Sequence, residues 1–274
     1  MSEIDAVVVP LDGSDVAQRA LPVAHSIAHR AGASIVLVTS NAGGDGASKI
    51  ELDEAAAHLG ALVPSCVTVP DKSPADAVVD VTLAGDKRLL CMSTHGRGGF
   101  RRAALGSVAD EVIRAGAVPL VLVGPSCDAD TSLDAPGPVL LCIDGSARSS
   151  MVVDAGRRWA KLLDRDVEMV TVPNPFDGAT PTELDDRFRD LSAPLAADGL
   201  RTSGSWIVNS SVPVGLNSEA ERLKSPLIVI APGSRSGWAR LLIGSTTLAL
   251  LADAPCPVLV VPEPIAAPRV VELD

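Results

Sequence analysis

The chain is a tandem duplication, and the pattern that repeats is detailed enough to prescribe a fold. Each half carries an apolar run, a loop of small residues, nine further residues, and then Gly-Ser at the start of a helix-like stretch. In the first half these are Leu89-Leu90-Cys91-Met92-Ser93-Thr94-His95-Gly96, Arg97 through Leu105, and Gly106-Ser107. In the second they are Leu227-Ile228-Val229-Ile230-Ala231-Pro232-Gly233-Ser234, Arg235 through Ile243, and Gly244-Ser245. The halves also begin alike, with Val7-Val8-Val9-Pro10-Leu11-Asp12-Gly13-Ser14 against Val139-Leu140-Leu141-Cys142-Ile143-Asp144-Gly145-Ser146. They end alike too, with Pro119-Leu120-Val121-Leu122-Val123 against Pro257-Val258-Leu259-Val260-Val261. A repeat of roughly 130 residues is a whole domain rather than a solenoid unit. The expected domains are 1–127 and 138–274. The acidic, Pro/Gly-terminated stretch 128–137 is the expected linker.

In the first half, apolar runs at 4–11, 34–40, 65–70, 88–93 and 118–123 alternate with helix-like stretches at 14–31, 47–63, 73–86 and 107–116. The second half repeats the order, with strands near 138–144, 166–172, 205–209, 226–231 and 257–262. The strands read as continuous apolar runs, which means burial on both faces. The fold class is therefore α/β, each half a five-stranded parallel sheet with helices on both faces. The two sheets are expected to be separate, packing through their last strands as an intramolecular pseudo-dimer about a pseudo-twofold axis; a homodimer stays open.

With three Trp, three Phe and no Tyr in 274 residues, the cores must be built from Ala, Val, Leu and Ile. A net charge of −11 argues against nucleic-acid and anionic-membrane partners, which require a basic surface. No apolar stretch reaches the roughly 18 residues that span a bilayer, and no basic-then-apolar leader is present, so a cytoplasmic protein is expected. The five Cys lack metal-like spacing, and Cys66, Cys91, Cys142 and Cys256 read as small core residues. No second His or Cys completes a metal set around His95, and His25, His29 and His58 read as helix surface.

A small-residue loop leading into a helix offers free backbone N–H groups and a positive dipole end, so its natural guest is a phosphate. The loop is neither a Walker A sequence nor a Gly-x-Gly-x-x-Gly fingerprint after the first strand. It follows the fourth strand, beside the carboxyl end of the first, where a doubly wound sheet reverses its order and leaves a crevice. Arg97, Arg101 and Arg102 in the first loop, and Arg235 and Arg240 in the second, place positive charge nearby.

On these residues the whole chain, twice over, resembles the universal stress protein family. Its nucleotide-binding members carry Gly-x-x-Gly, nine residues, then Gly-Ser/Thr, after an Asp that closes the first strand. The resemblance implies two tandem Rossmann-like domains of the adenine nucleotide alpha hydrolase-like type. It implies that Asp12 meets the ribose or adenine, with Pro10 and Val38 lining the base and Met92 and Ser93 covering it. Gly96, Gly106, Ser107 and Val108 would hold the phosphates. Asp144, Ala231, Gly244, Ser245 and Thr246 are the second-half counterparts. Ser93 departs from the family's first Gly; Ala231 and Ser234 replace two of the three in the second half. Gly lets backbone approach a phosphate without a Cβ in the way, so the first half is ranked above the second.

The residues also have plainer uses. Asp12 and Asp144 precede Gly-Ser and can cap the following helix. Ser107 with Asp110 matches a capping-box spacing. Three functions follow: a protein that binds an adenine nucleotide, ATP with Mg or alternatively cyclic AMP, in a stress or signalling role without rapid turnover; a slow ATPase or self-phosphorylating enzyme; and a degenerate module acting through protein contacts. No catalytic base emerges, and no catalytic residue or metal ligand is assigned.

Overall fold

A computed structural model of the chain describes residues 4–41, 47, 49–57, 59–60, 62–85, 87–95, 105–115, 118–173, 180–231 and 244–262. In the first half these form β1 (Ala6–Pro10), α1 (Asp15–Gln18), α2 (Ala20–Ala31), β2 (Ser34–Ser40), α3 (Lys49–Ala57), β3 (Ser65–Val69), α4 (Pro74–Leu83), β4 (Arg88–Ser93), α5 (Ser107–Ala115) and β5 (Leu120–Val123). The second half gives β6 (Val139–Cys142), α6 (Ser149–Leu163), β7 (Val167–Thr171), α7 (Pro181–Ala197), β8 (Thr202–Trp206), α8 (Val212–Leu223), β9 (Ile228–Ile230), α9 (Ser245–Asp253) and β10 (Val258–Val260).

Each half is a parallel sheet, in the order β3-β2-β1-β4-β5 and β8-β7-β6-β9-β10. The expectation of two separate sheets is corrected: β5 and β10 pair antiparallel, Leu120 with Val260, Val121 with Leu259 and Leu122 with Val258, and the result is one ten-stranded sheet. Equivalent strands paired antiparallel are related by a twofold, so the seam itself carries the pseudo-symmetry of the repeat. The physical reason is edge pairing. Each half ends on a short, fully apolar strand whose unpaired N–H and C=O groups need partners.

Alternate residues along the strands feed two cores. One face buries Val7, Val9, Leu37, Cys91, Val121, Leu141, Val229 and Leu259 under α2, α3, α6 and α7. The other buries Val8, Val38, Leu90, Met92, Leu122, Leu140, Ile228 and Val258 under α4, α5, α8 and α9. Both cores run across the seam. Leu133, in the stretch expected to be the linker, is completely buried in the first of them. The linker is also tied down by Arg30 to Asp134 at 2.6 Å and by Gly137 N–H to the Lys224 carbonyl at 3.0 Å.

Three local expectations change. The helix expected at 14–31 breaks at Arg19, because Pro22 cannot donate to the Gln18 carbonyl and the chain restarts as α2 with Pro22 in its first turn. The strand expected at 205–209 lies at 202–206, where Thr202 to Trp206 run in register with Val167 to Thr171 of the apolar β7. Burial on both faces fails at the sheet edges, β3 and β8, whose residues are mostly exposed or half-buried. Cys66, on β3, is accordingly exposed rather than core.

Candidate functional site

Between β1 and β4 the strand order reverses, and the crevice at their carboxyl ends is built from two turns. The first closes β1. Leu11 N–H donates to the Val38 carbonyl at 2.9 Å, keeping Pro10 and Val38 level at the sheet edge. Gly13 then turns the chain with φ of 79°, a region that favours glycine. Asp12 Oδ1 accepts from Ser14 N at 3.0 Å and from Ser14 Oγ at 2.6 Å, and Ser14 Oγ accepts from Ala17 N at 3.2 Å. The cap of α1 is therefore Ser14, and Asp12 is the group that holds it in place rather than the cap itself. The second half repeats the device: Asp144 Oδ1 accepts from Ser146 N at 2.9 Å and Ser146 Oγ at 2.6 Å. Burial pushes the Asp144 carboxyl up, but the Ser146 hydrogen bonds, with Arg148 and Ser149, prevail and hold it below the usual carboxylate range.

The second turn joins β4 to α5. Met92, Ser93 and Thr94 are buried, Thr94 completely. Thr94 N–H donates to the Val123 carbonyl at 3.0 Å, and its own carbonyl accepts from Gly106 N–H at 2.6 Å. The start of α5 is thus pinned to the end of β4. The Gly106 carbonyl accepts from Asp110 N–H at 2.9 Å, so Gly106 is the N-cap. The expected Ser107–Asp110 capping box is corrected for that reason. The helix begins one residue too early for it, and the Asp110 carboxylate instead takes Arg114 Nε at 2.7 Å. A glycine cap has no side chain with which to satisfy the first-turn N–H groups of Ser107, Val108 and Ala109, and these are donors suited to an anion. A Cβ on Gly106 would lie 3.0 Å from the Thr94 carbonyl oxygen, so this position is fitted to glycine by contact.

Val38 and Met92 reach this crevice with their backbone, while their side chains belong to the core beneath α4 and α5. His95 is half-buried, with Nδ1 at 2.9 Å from Thr94 Oγ1. Gly96, Arg97, Arg101 and Arg102 lie outside the described residues, as do Pro232, Ser234, Arg235, Arg240 and His58. In the second half Ala231 follows β9 and is half-buried, and Gly244 caps α9 with φ −61° and ψ 148°, its carbonyl accepting from Leu248 N–H at 3.1 Å. No side chain caps α9, and Ser245 and Thr246 are exposed. The residue that sequence reasoning missed is Thr94. Its role is carried by its backbone, and a threonine after a strand has no signature of its own.

Cysteine chemistry is disfavoured at the described thiols that are buried. Burial pushes Cys127 up to about 11 and Cys91, Cys142 and Cys256 higher still, so none is a thiolate near neutrality. Among the described residues no group of three or more His, Cys, Asp or Glu is arranged to hold a metal. No helix among them is long and apolar enough to cross a membrane.

The sequence profile of the universal stress protein family matches residues 3–124 and 137–262. A universal stress protein of Mycobacterium tuberculosis is 28% identical over 194 residues, 66% of this chain and 63% of the relative, so the match spans under two thirds of that relative's length. One from Mycolicibacterium smegmatis is 26% identical over 200 residues, 69% of this chain and 66% of the relative. Among solved structures, a universal stress protein from Archaeoglobus fulgidus is 17% identical, covers 93% of this chain and 95% of its own, and superposes with a TM-score of 0.66. A functionally unknown protein from Pseudomonas aeruginosa is 17% identical, covers 94% and 92%, and gives 0.63. At these identities the structural likeness establishes the fold.

Proposed function

Because the chain belongs to the universal stress protein family, we propose that its first half holds an adenine nucleotide, ATP by preference over cyclic AMP, in the crevice between β1 and β4, in a stress or signalling role. The observation that carries this reading is the glycine-capped start of α5, pinned by Gly106 N–H to the Thr94 carbonyl at 2.6 Å with no cap side chain in the way. Ser107 and Val108 N–H groups, with the Ser107 hydroxyl, would take phosphate oxygens. Asp12, fixed by Ser14, would meet the ribose or adenine, and Pro10 and Ser93 would bound the site. Gly96 would complete the phosphate loop. The bound nucleotide supplies the charged triphosphate; the chain's own residues bind and orient it. Fixed backbone donors bind ground and transition states about equally, and uniform binding does not raise a turnover rate. Holding rather than hydrolysis therefore suits the groups present, in a cytoplasmic protein without a nucleic-acid or membrane partner.

The second half is the weaker candidate, because Ala231 and Ser234 stand where the family's glycines would be. Substitution separates the two. Gly106→Val places a branched side chain against the Thr94 carbonyl and the first-turn N–H groups, and should abolish ATP binding measured by calorimetry. Gly244→Val should change it little. The reverse ranking, with both circular dichroism spectra intact, would reject the assignment.

A further inference from the structure

One side of α2 carries a pair of imidazoles that the nucleotide crevice does not use. His25 and His29 stand i, i+4 on the helix, so they project from the same side one turn apart. His25 is half-buried and His29 is exposed. Their rings lie nearly parallel, at 16°, with centroids 6.2 Å apart. Among the described residues neither ring has a hydrogen-bond or ion-pair partner, so the acceptor nitrogen of each neutral imidazole is free to take a ligand. Both rings line an open cavity of about 830 Å³, whose other walls include Ser132, Asp134 and Leu162.

Two neutral imidazoles at this spacing can chelate one borderline divalent metal, as the paired histidines of a His-Glu-x-x-His helix do. A metal–nitrogen bond of about 2.0–2.1 Å puts the ion about 3.2 Å from a ring centroid, so rings that share an ion have centroids at most about 6.4 Å apart. The observed separation falls inside that limit. Rotation about χ2, a broad torsion in histidine, turns the two ring edges toward a common point. The local charge does not oppose a dication either, because Arg30, the cation in this cavity, is paired with Asp134 at 2.6 Å. Imidazole ligands select Cu2+ ahead of Ni2+ and Zn2+, and they do not suit Mg2+ or Ca2+, which take oxygen ligands. We propose that His25 and His29 bind one divalent transition-metal ion, Cu2+ most tightly, across one turn of α2 at this cavity, with water in the remaining coordination positions. Such an ion is exchangeable, since structural zinc sites close with four protein ligands.

Calorimetric titration of the nucleotide-free full chain with Cu2+, Ni2+ and Zn2+ tests this. One ion per chain is expected, with Cu2+ bound most tightly. His25→Gln and His29→Gln should each weaken binding about tenfold or more, because chelation makes the second contact intramolecular. Both side chains reach solvent, so glutamine leaves the helix and the circular dichroism spectrum intact. Cys66→Ser, which removes an exposed thiol that could compete for the ion, should bind like the wild type. In that variant the electron paramagnetic resonance spectrum of bound Cu2+ should show coupling to two imidazole nitrogens, a signature that a purely structural role for the histidines would not give. Absence of saturable binding in the wild type, unchanged affinity in either histidine variant, loss of binding in Cys66→Ser, or coupling to a single nitrogen would each overturn the proposal.

Discussion

Asp134 shows what a single side chain contributes to joining the halves. Its carboxylate accepts from Arg30 at the end of α2 at 2.6 Å and from Ser132 at 2.9 Å, and the Arg30 guanidinium foremost holds the carboxyl below its usual value of 3.8. A depressed carboxyl stabilises the fold above its unfolded value, and that contribution is lost as pH falls through the native one. The Asp134 side chain is 64% exposed, so solvent screening limits the pair to about 1 kcal/mol at most. Urea denaturation should therefore show Asp134→Asn slightly less stable than wild type at neutral pH, with the difference closing below pH 3.8. A difference that grows in acid would contradict the assignment. Residues of this kind differ in how far the sequence betrays them. Asp12 and Gly106 are legible because they sit in a spaced motif, and a motif survives in one dimension. Thr94, which pins the start of α5 through its backbone, leaves no such trace.

The elements that sequence patterning locates well are those the sheet buries most. β1, β2 and β4 are apolar and flanked by strands on both sides, and the expected spans fall on them within a few residues. β8 is Thr-Ser-Gly-Ser-Trp, pairs on one side only, and takes its place from register with β7. Hydrophobicity instead points three residues along, to Trp206-Ile207-Val208, of which Val208 is 83% exposed. The seam is legible only in part. That the last strands meet follows from the repeat, but their edge-to-edge pairing into one sheet joins residues more than a hundred positions apart and is not written in either strand. Leu122 is wholly buried there, opposite Val258. Leu122→Asp should cost about 3 kcal/mol or more, by cavity formation and by burying an unpaired carboxylate. Chemical denaturation checks this. A loss under about 1 kcal/mol would mean that the strands do not meet as described.

At the scale of the whole molecule, duplication has produced one sheet with two points at which the strand order reverses, and the account rests on the proposal that the first of them holds a nucleotide intact. Bound ATP at about a hundred times its dissociation constant would stabilise the fold by about 2.7 kcal/mol, a rise of roughly 5–10 °C in Tm for a chain of this size. Hydrolysis should run at about one event per minute or slower, far under the roughly 1 to 10³ per second of dedicated enzymes. One measurement addresses binding, stoichiometry and turnover together: purified protein is loaded with magnesium and ATP, freed of excess by rapid desalting, denatured within about ten seconds, and the released nucleotide identified and counted. The account predicts about one adenine nucleotide per chain, still predominantly ATP, from a single competent crevice. Release of ADP in its place, or of no nucleotide at all, would contradict it.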